Sequence, residues 1–129
     1  MYTHTTPLRV LVTGATDWSD RECIRRELTA LPPGSIIIHG DTPGADALAG
    51  EIAARELGLT VVAMYKSAAD RTRYGTLAWQ GLNERMLQQG VDLVLAFHPA
   101  LDDPAQAHGT RHAISCAQAL GITVRVIAR

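Results

Sequence analysis

SIIIHGDTPGADALAGEIAARELGLTVVAM, residues 35–64, is the stretch on which the fold turns. It opens on the apolar run Ile36–Ile38 and closes on Val61 and Val62, short continuous runs of the kind found in strands buried on both faces. Between them Ala45, Leu48, Ala49, Ile52 and Ala53 recur at helical spacing and give one apolar stripe. Gly58 stands where a left-handed residue would close that helix before the chain re-enters the sheet. Strand, helix and strand in this order require parallel pairing with a right-handed crossover.

The same unit repeats outward. Further strands are expected at 8–13 (LRVLVT), 91–97 (VDLVLAF) and 122–127 (ITVRVI), beside 35–39 and 60–64. Ser19 followed by Glu22 has the form of a capping box, and Cys23, Ile24, Glu27 and Leu28 continue from it toward Leu31. A third helix near 75–89 carries Trp79, Leu82, Asn83 and Met86 on a shared face, and a fourth over 110–120 carries Ala113, Ile114, Ala117 and Leu120. Gly90 and Gly121 punctuate these two as Gly58 does the second. The alternation predicts an α/β fold: a three-layer Rossmann-like domain with a five-stranded parallel sheet of order 3-2-1-4-5. No repeat or linker divides residues 1–129, so one domain is expected, with a disordered tail over about 1–6. HPALDDPAQAH, 98–108, reads as a long mobile loop.

Composition narrows the function classes. A chain of 129 residues, 47% hydrophobic and 19% charged, is long enough to bury a core without disulfides or structural metal. A net charge of -1 and a pI near 6.5 leave no basic footprint, so a nucleic-acid backbone is not the expected partner, whereas a free nucleotide is compatible. The two cysteines, Cys23 and Cys116, fall inside helices as small core residues, which fits a reducing cytoplasm. MYTHTTPLRV lacks the pattern of a signal peptide, and no apolar run approaches the roughly 20 residues needed to cross a bilayer. A cytoplasmic protein without membrane contact is expected.

The unusual local sequences all follow strands. TGATDWSD comes after the first, HGDTPGAD after the second, and HGTRHA closes the loop after the fourth. Each sets a glycine just before a helix start, where backbone can approach a ligand closely and free amides can meet phosphate or carboxylate oxygens. In the order 3-2-1-4-5 these three ends are neighbours, and ligands bind outside such ends where the strand order reverses. Strands three and five offer no comparable loop. Each glycine alone also fits a plain turn or helix entry, Gly14, Thr42-Pro43 and Gly109-Thr110 included.

Asp17, Asp41 and Asp46 suit ribose hydroxyls or base N–H groups, complement helix dipoles, or, as the less favoured reading, hold Mg2+. His39 at a strand end is placed to donate to a ligand oxygen or to bond a loop carbonyl. His98, His108 and His112 read as solvated loop histidines, and no standard metal spacing joins them. G-x-G-x-x-G, G-x-x-x-x-G-K-[ST] and G-x-S-x-G are all absent, so no cofactor motif is present beyond what a bound nucleotide needs.

RVLVTGATDWSDRECIRREL, IIIHGDTPGADALAGEIAARELG, RYGTLAWQGLNERML and GVDLVLAF with HGTRHAISCAQALGITVRVI together resemble the YspA-like branch of the SLOG superfamily, which is named after the DNA-processing protein DprA and the cytokinin-activating LOG enzymes. The resemblance runs from about residue 8 to 127, and H-G-D-x-x-G-A-D is its most specific element. It implies a Rossmann-like domain that binds nucleotides or nucleotide-derived ligands, often as a homodimer, with some relatives cleaving an N-glycosidic bond. Matched positions are Gly14, Asp17 and Trp18; His39, Gly40, Asp41, Gly44, Ala45 and Asp46; Asn83 with Met86; and Gly109, Thr110 and Arg111. Thr16 stands where relatives have an arginine, and Leu82-Asn83 where they have Arg-Asn, leaving Arg111, Arg73 or Arg85 to compensate. Trp79 stands where relatives have a small residue, to fill a dimer seam or the core. The P-G-G-x-G-T-x-x-E of the LOG enzymes is not reproduced here.

The reading that follows is a domain binding a nucleotide-derived ligand at the ends of strands one, two and four. The alternative is an N-glycosidic hydrolase with Asp17 or Asp46 as catalytic candidates. A third, a flavodoxin-like scaffold, is disfavoured by Tyr65-Lys66 where an Asp would end strand three.

Overall fold

A computed structural model of the chain describes residues 6–103 and 107–128. The expected tail over 1–6 lies outside this range except for Thr6, as do residues 104–106 of the expected loop. Five parallel strands, β1 (Arg9–Gly14), β2 (Ile36–His39), β3 (Thr60–Ala63), β4 (Leu93–Phe97) and β5 (Thr123–Ile127), form one sheet of order β3-β2-β1-β4-β5. β1 is central: Val10 pairs with Ile37 and Leu93, and Val12 with His39 and Leu95. Its residues Val10, Leu11 and Val12 are wholly buried, as a strand with helices on both faces must be.

Alternation along the strands sends side chains to two cores. Val10, Val12, Ile37, Leu95 and Phe97 meet Cys23, Ile24 and Leu28 of α1 (Arg21–Thr29) and Ala45, Ala49 of α2 (Ala45–Glu51). Leu11, Ile38 and Val94 face the other way, toward Leu82, Met86 and Leu87 of α4 (Ala78–Leu87) and Ala117 of α5 (His108–Ala119). α2 runs on through a π-helical turn, Ile52–Glu56, in which the Leu57 amide donates to the Ile52 carbonyl at 3.2 Å. No helix among the described residues is long and apolar enough to cross a membrane.

Two local details depart from the sequence reading. The first helix is capped by Asp20, whose Oδ1 accepts the Cys23 amide at 3.0 Å, and not by Ser19. The helix expected near 75–89 is α4, entered through a 3-10 turn at Gly75–Leu77, and it is preceded by a helix the sequence reading does not include, α3 (Ala68–Tyr74). α3 has a reciprocal capping box, with Ser67 Oγ accepting the Asp70 amide and Asp70 Oδ2 accepting the Ser67 amide. Asp70 is also gripped by Arg85 of α4 at 2.6 and 3.1 Å, which holds its carboxyl down at about 2 and ties α3 to α4.

Candidate functional site

The carboxyl ends of β1, β2 and β4 open on a single cleft of about 550 Å3, within the range that holds a small molecule. Gly14 closes β1 there because the sheet leaves no room for a side chain. A Cβ would run into the Phe97 carbonyl oxygen of β4 and sit 2.8 Å from Ala45 Cβ of α2. The chain then turns under the Phe97 carbonyl, which accepts the Ala15 amide at 2.8 Å. Thr16 and Asp17 are left exposed on the cleft wall.

The β2 loop leans on this turn. Gly44, with φ +77°, brings its Cα against the backbone of Ala15 and Thr16, and the Ala45 amide donates to the Ala15 carbonyl at 3.1 Å. That contact delivers Gly40, Asp41, Thr42 and Asp46 to the cleft. Asp46 is buried on its floor, and Oδ2 accepts the Gly40 amide at 2.9 Å. Desolvation pushes its carboxyl up to about 7, against the lowering effect of the Gly40 amide and the Thr42 side chain. It is thus an acid that gains or loses a proton near neutrality.

The opposite wall comes from β4 and α5. α5 begins at His108 with Ala107 as its cap residue, which has no side chain able to satisfy the first amides. Gly109 and Thr110 border the cleft, and among the described residues a Cβ built on Gly109 meets nothing within 4 Å. His98, directly after β4, is buried and borders the same space. Its Nδ1 accepts the Ala100 amide at 2.9 Å, so in the neutral ring the proton sits on Nε2 as a donor.

Of the residues singled out from sequence, Gly14, Thr16, Asp17, Gly40, Asp41, Asp46, Asn83, Gly109 and Thr110 line this one cleft. Gly44 and Ala45 support it from behind. Trp18 turns into the core, where its ring meets Phe97 edge-on at 5.6 Å and its Nε1 donates to the Asp20 carbonyl. His39 bonds the Gly40 carbonyl through Nδ1 at 2.9 Å and packs its Nε2 edge over Gly50, which realises the loop-carbonyl alternative. Arg111 is exposed and lies outside the cleft lining, Arg85 is committed to Asp70, and Arg73 lies over Tyr74.

Sequence reasoning missed Lys66. It follows β3 and supplies the lysine of the cleft wall, so the third strand does contribute a loop. The signal was its place just beyond a strand end. His98 and His112 were also misread as solvated: the first is buried, and the second is half-buried against Asn83 and Trp79. Trp79 is half-buried outside the two cores and stands on the cleft wall. Among the described residues no three His, Cys, Asp or Glu side chains cluster closely enough to hold a metal ion.

The model of the YspA, cpYpsA-related SLOG family matches residues 8–74. A protein of Mycobacterium phage D29, called Gene 61 protein, is 34% identical over 122 residues, which span 90% of this chain and 93% of that protein. No solved structure matches the chain.

Proposed function

The chain belongs to the YspA, cpYpsA-related SLOG family, and from that premise we propose that its cleft binds a nucleotide or nucleotide-derived ligand. The observation that carries the reading is the convergence of the Gly14, Gly40 and Gly109 turns on one space of about 550 Å3. Its two sides differ in charge. Asp17, Asp41 and the threonines of the first two loops suit hydroxyl and N–H donors, while the N-terminal turn of α5, whose cap residue Ala107 makes no side-chain hydrogen bond, with Lys66 and the Nε2–H of His98 suits an anionic group.

A second reading, hydrolysis of an N-glycosidic bond, is supported by Asp46. A buried carboxylate poised near neutrality can take the proton of an attacking water as its hydroxyl joins C1′; the base leaves with the electrons of the glycosidic bond and takes up a proton from solvent, and the carboxyl then releases its own. Incubation with a panel of nucleoside 5′-monophosphates, followed by both thermal unfolding and chromatography of the products, separates the two. A raised midpoint without free base supports binding alone. Release of base with ribose 5-phosphate supports hydrolysis, and neither effect with any nucleotide would contradict both readings.

A further inference from the structure

One face of α4 borders the cleft at Trp79, Leu82, Asn83 and Met86, a spacing of i, i+3, i+4 and i+7. Three of the four are apolar. Leu82 and Met86 are buried at the root, close against Gly40, where a Cβ would come within 3.3 Å of Leu82 Cδ2 and 3.4 Å of Met86 Cε. Trp79 stands further out, half-buried, its ring set edge-on to His112 at 5.4 Å. The facing walls carry Thr16, Asp17, Asp41, Thr42, Lys66 and Thr110 among small or isolated apolar residues, so this run of large apolar side chains is a distinct surface within the cleft.

Asn83 interrupts it, and its orientation is fixed from behind. Nδ2 lies 3.1 Å from the Gly109 carbonyl and 3.1 Å from His112 Nδ1. A carbonyl can only accept, so the amino group must be the end that faces it. His112 Nδ1 must then be the bare ring nitrogen, with its proton on Nε2 beside Cys116 Sγ at 3.6 Å. Burial lowers the His112 pKa against the opposing charge of Glu84, which keeps the ring neutral and this arrangement intact. Among the described residues no donor reaches Asn83 Oδ1, although Asn83 as a whole is only 7% exposed. Buried amide oxygens are seldom left without a donor.

Resting on the nucleotide-derived reading above, we infer that α4 is the ring-binding wall: a planar heterocycle lies against Trp79, Leu82 and Met86, and an N–H on its edge donates to Asn83 Oδ1. His112 is a positioning residue, since it fixes which end of the amide is presented. The ligand class is therefore a nucleoside phosphate whose base has an edge donor, and a bare sugar phosphate makes only part of the contacts.

Calorimetric titration of the full chain with ribose 5-phosphate, AMP, GMP, CMP and UMP tests this. The tightest nucleotide should bind at least roughly tenfold better than ribose 5-phosphate. Its analogue without the edge donor, purine riboside 5′-monophosphate in the case of AMP, should lose about fivefold or more. Trp79→Ala should weaken the nucleotide roughly tenfold and leave ribose 5-phosphate within about twofold. The two probe comparisons use the unmutated protein, so they hold even if the variant folds poorly. Ribose 5-phosphate binding as tightly as every nucleotide would overturn the ring wall while leaving a nucleotide-derived ligand tenable. Equal binding of the donor-free analogue would overturn the role of Asn83, and binding of no probe would overturn both this inference and the function it rests on.

Discussion

The two walls of the cleft use glycine for opposite reasons. On the β1 and β2 side, Gly14 and Gly44 are there because backbone from another segment occupies the space of a side chain. On the α5 side, Gly109 has open space where its side chain would be, and no contact among the described residues requires a glycine there. The difference separates glycines that build the site from one that leaves room in it. The first wall is a packed scaffold that happens to border the cleft, and the second is a surface whose composition makes sense through what it faces.

Substitution should sharpen that contrast. The largest effect is expected for Gly44→Ala, which combines φ +77° with a collision against the Ala15 and Thr16 backbone. Loss of about 3 kcal/mol or more in urea unfolding is expected, and a variant as stable as the parent would show that the two loops are not wedged together.

Asp46 comes next, and its effect has a sign. Its folded-state pKa is raised to about 7, so the native chain holds a proton that the unfolded chain releases. Its contribution is complete at pH below the ordinary carboxylate value and is lost as pH rises through about 7. Asp46→Asn, which still offers an oxygen to the Gly40 amide, should remove that slope. Between pH 4 and pH 8 the parent should lose about 2–4 kcal/mol more than the variant. Parallel stability curves would place Asp46 in water instead of on a buried floor.

Smaller effects belong to the second wall. Lys66→Met should leave unfolding within about 0.5 kcal/mol of the parent, yet weaken an anionic nucleotide by roughly fivefold to tenfold at low salt, with the gap closing at high salt. A salt-independent gap would mean packing and not charge. Gly109→Ala should have the smallest effect on the fold, neutral or stabilising by up to about 0.5–1 kcal/mol, because alanine is the better helix former. Its thermal shift with nucleotide should shrink all the same. Destabilisation there would erase the distinction between the two walls.

The strand order and the three converging ends could be read from the chain because apolar runs, helix-closing glycines and right-handed crossovers leave few alternatives. The capping error at Ser19 is a choice between adjacent residues that both have a capping oxygen, and only the Cys23 amide settles it in favour of Asp20. α3 was missed because Ala68–Tyr74 has no apolar stripe: it is held by the Ser67–Asp70 box and the Arg85 pair, a contact 15 residues away that periodicity does not register. Lys66, which follows β3 and precedes that capping box, borders the cleft without any periodic signal to mark it. Trp18 and His39 illustrate the converse. Both are singled out by the sequence resemblance, yet Trp18 packs against Phe97 and His39 bonds the Gly40 carbonyl, so both serve the loops from behind.

Titration of the 15N-labelled chain with the tightest-binding nucleoside monophosphate, followed amide by amide, tests the central claim most directly. Convergence predicts that shifts concentrate at residues 14–17, 40–46 and 107–110, with Asn83 among them. Saturable shifts confined to another surface, or to only one of those three turns, would contradict it.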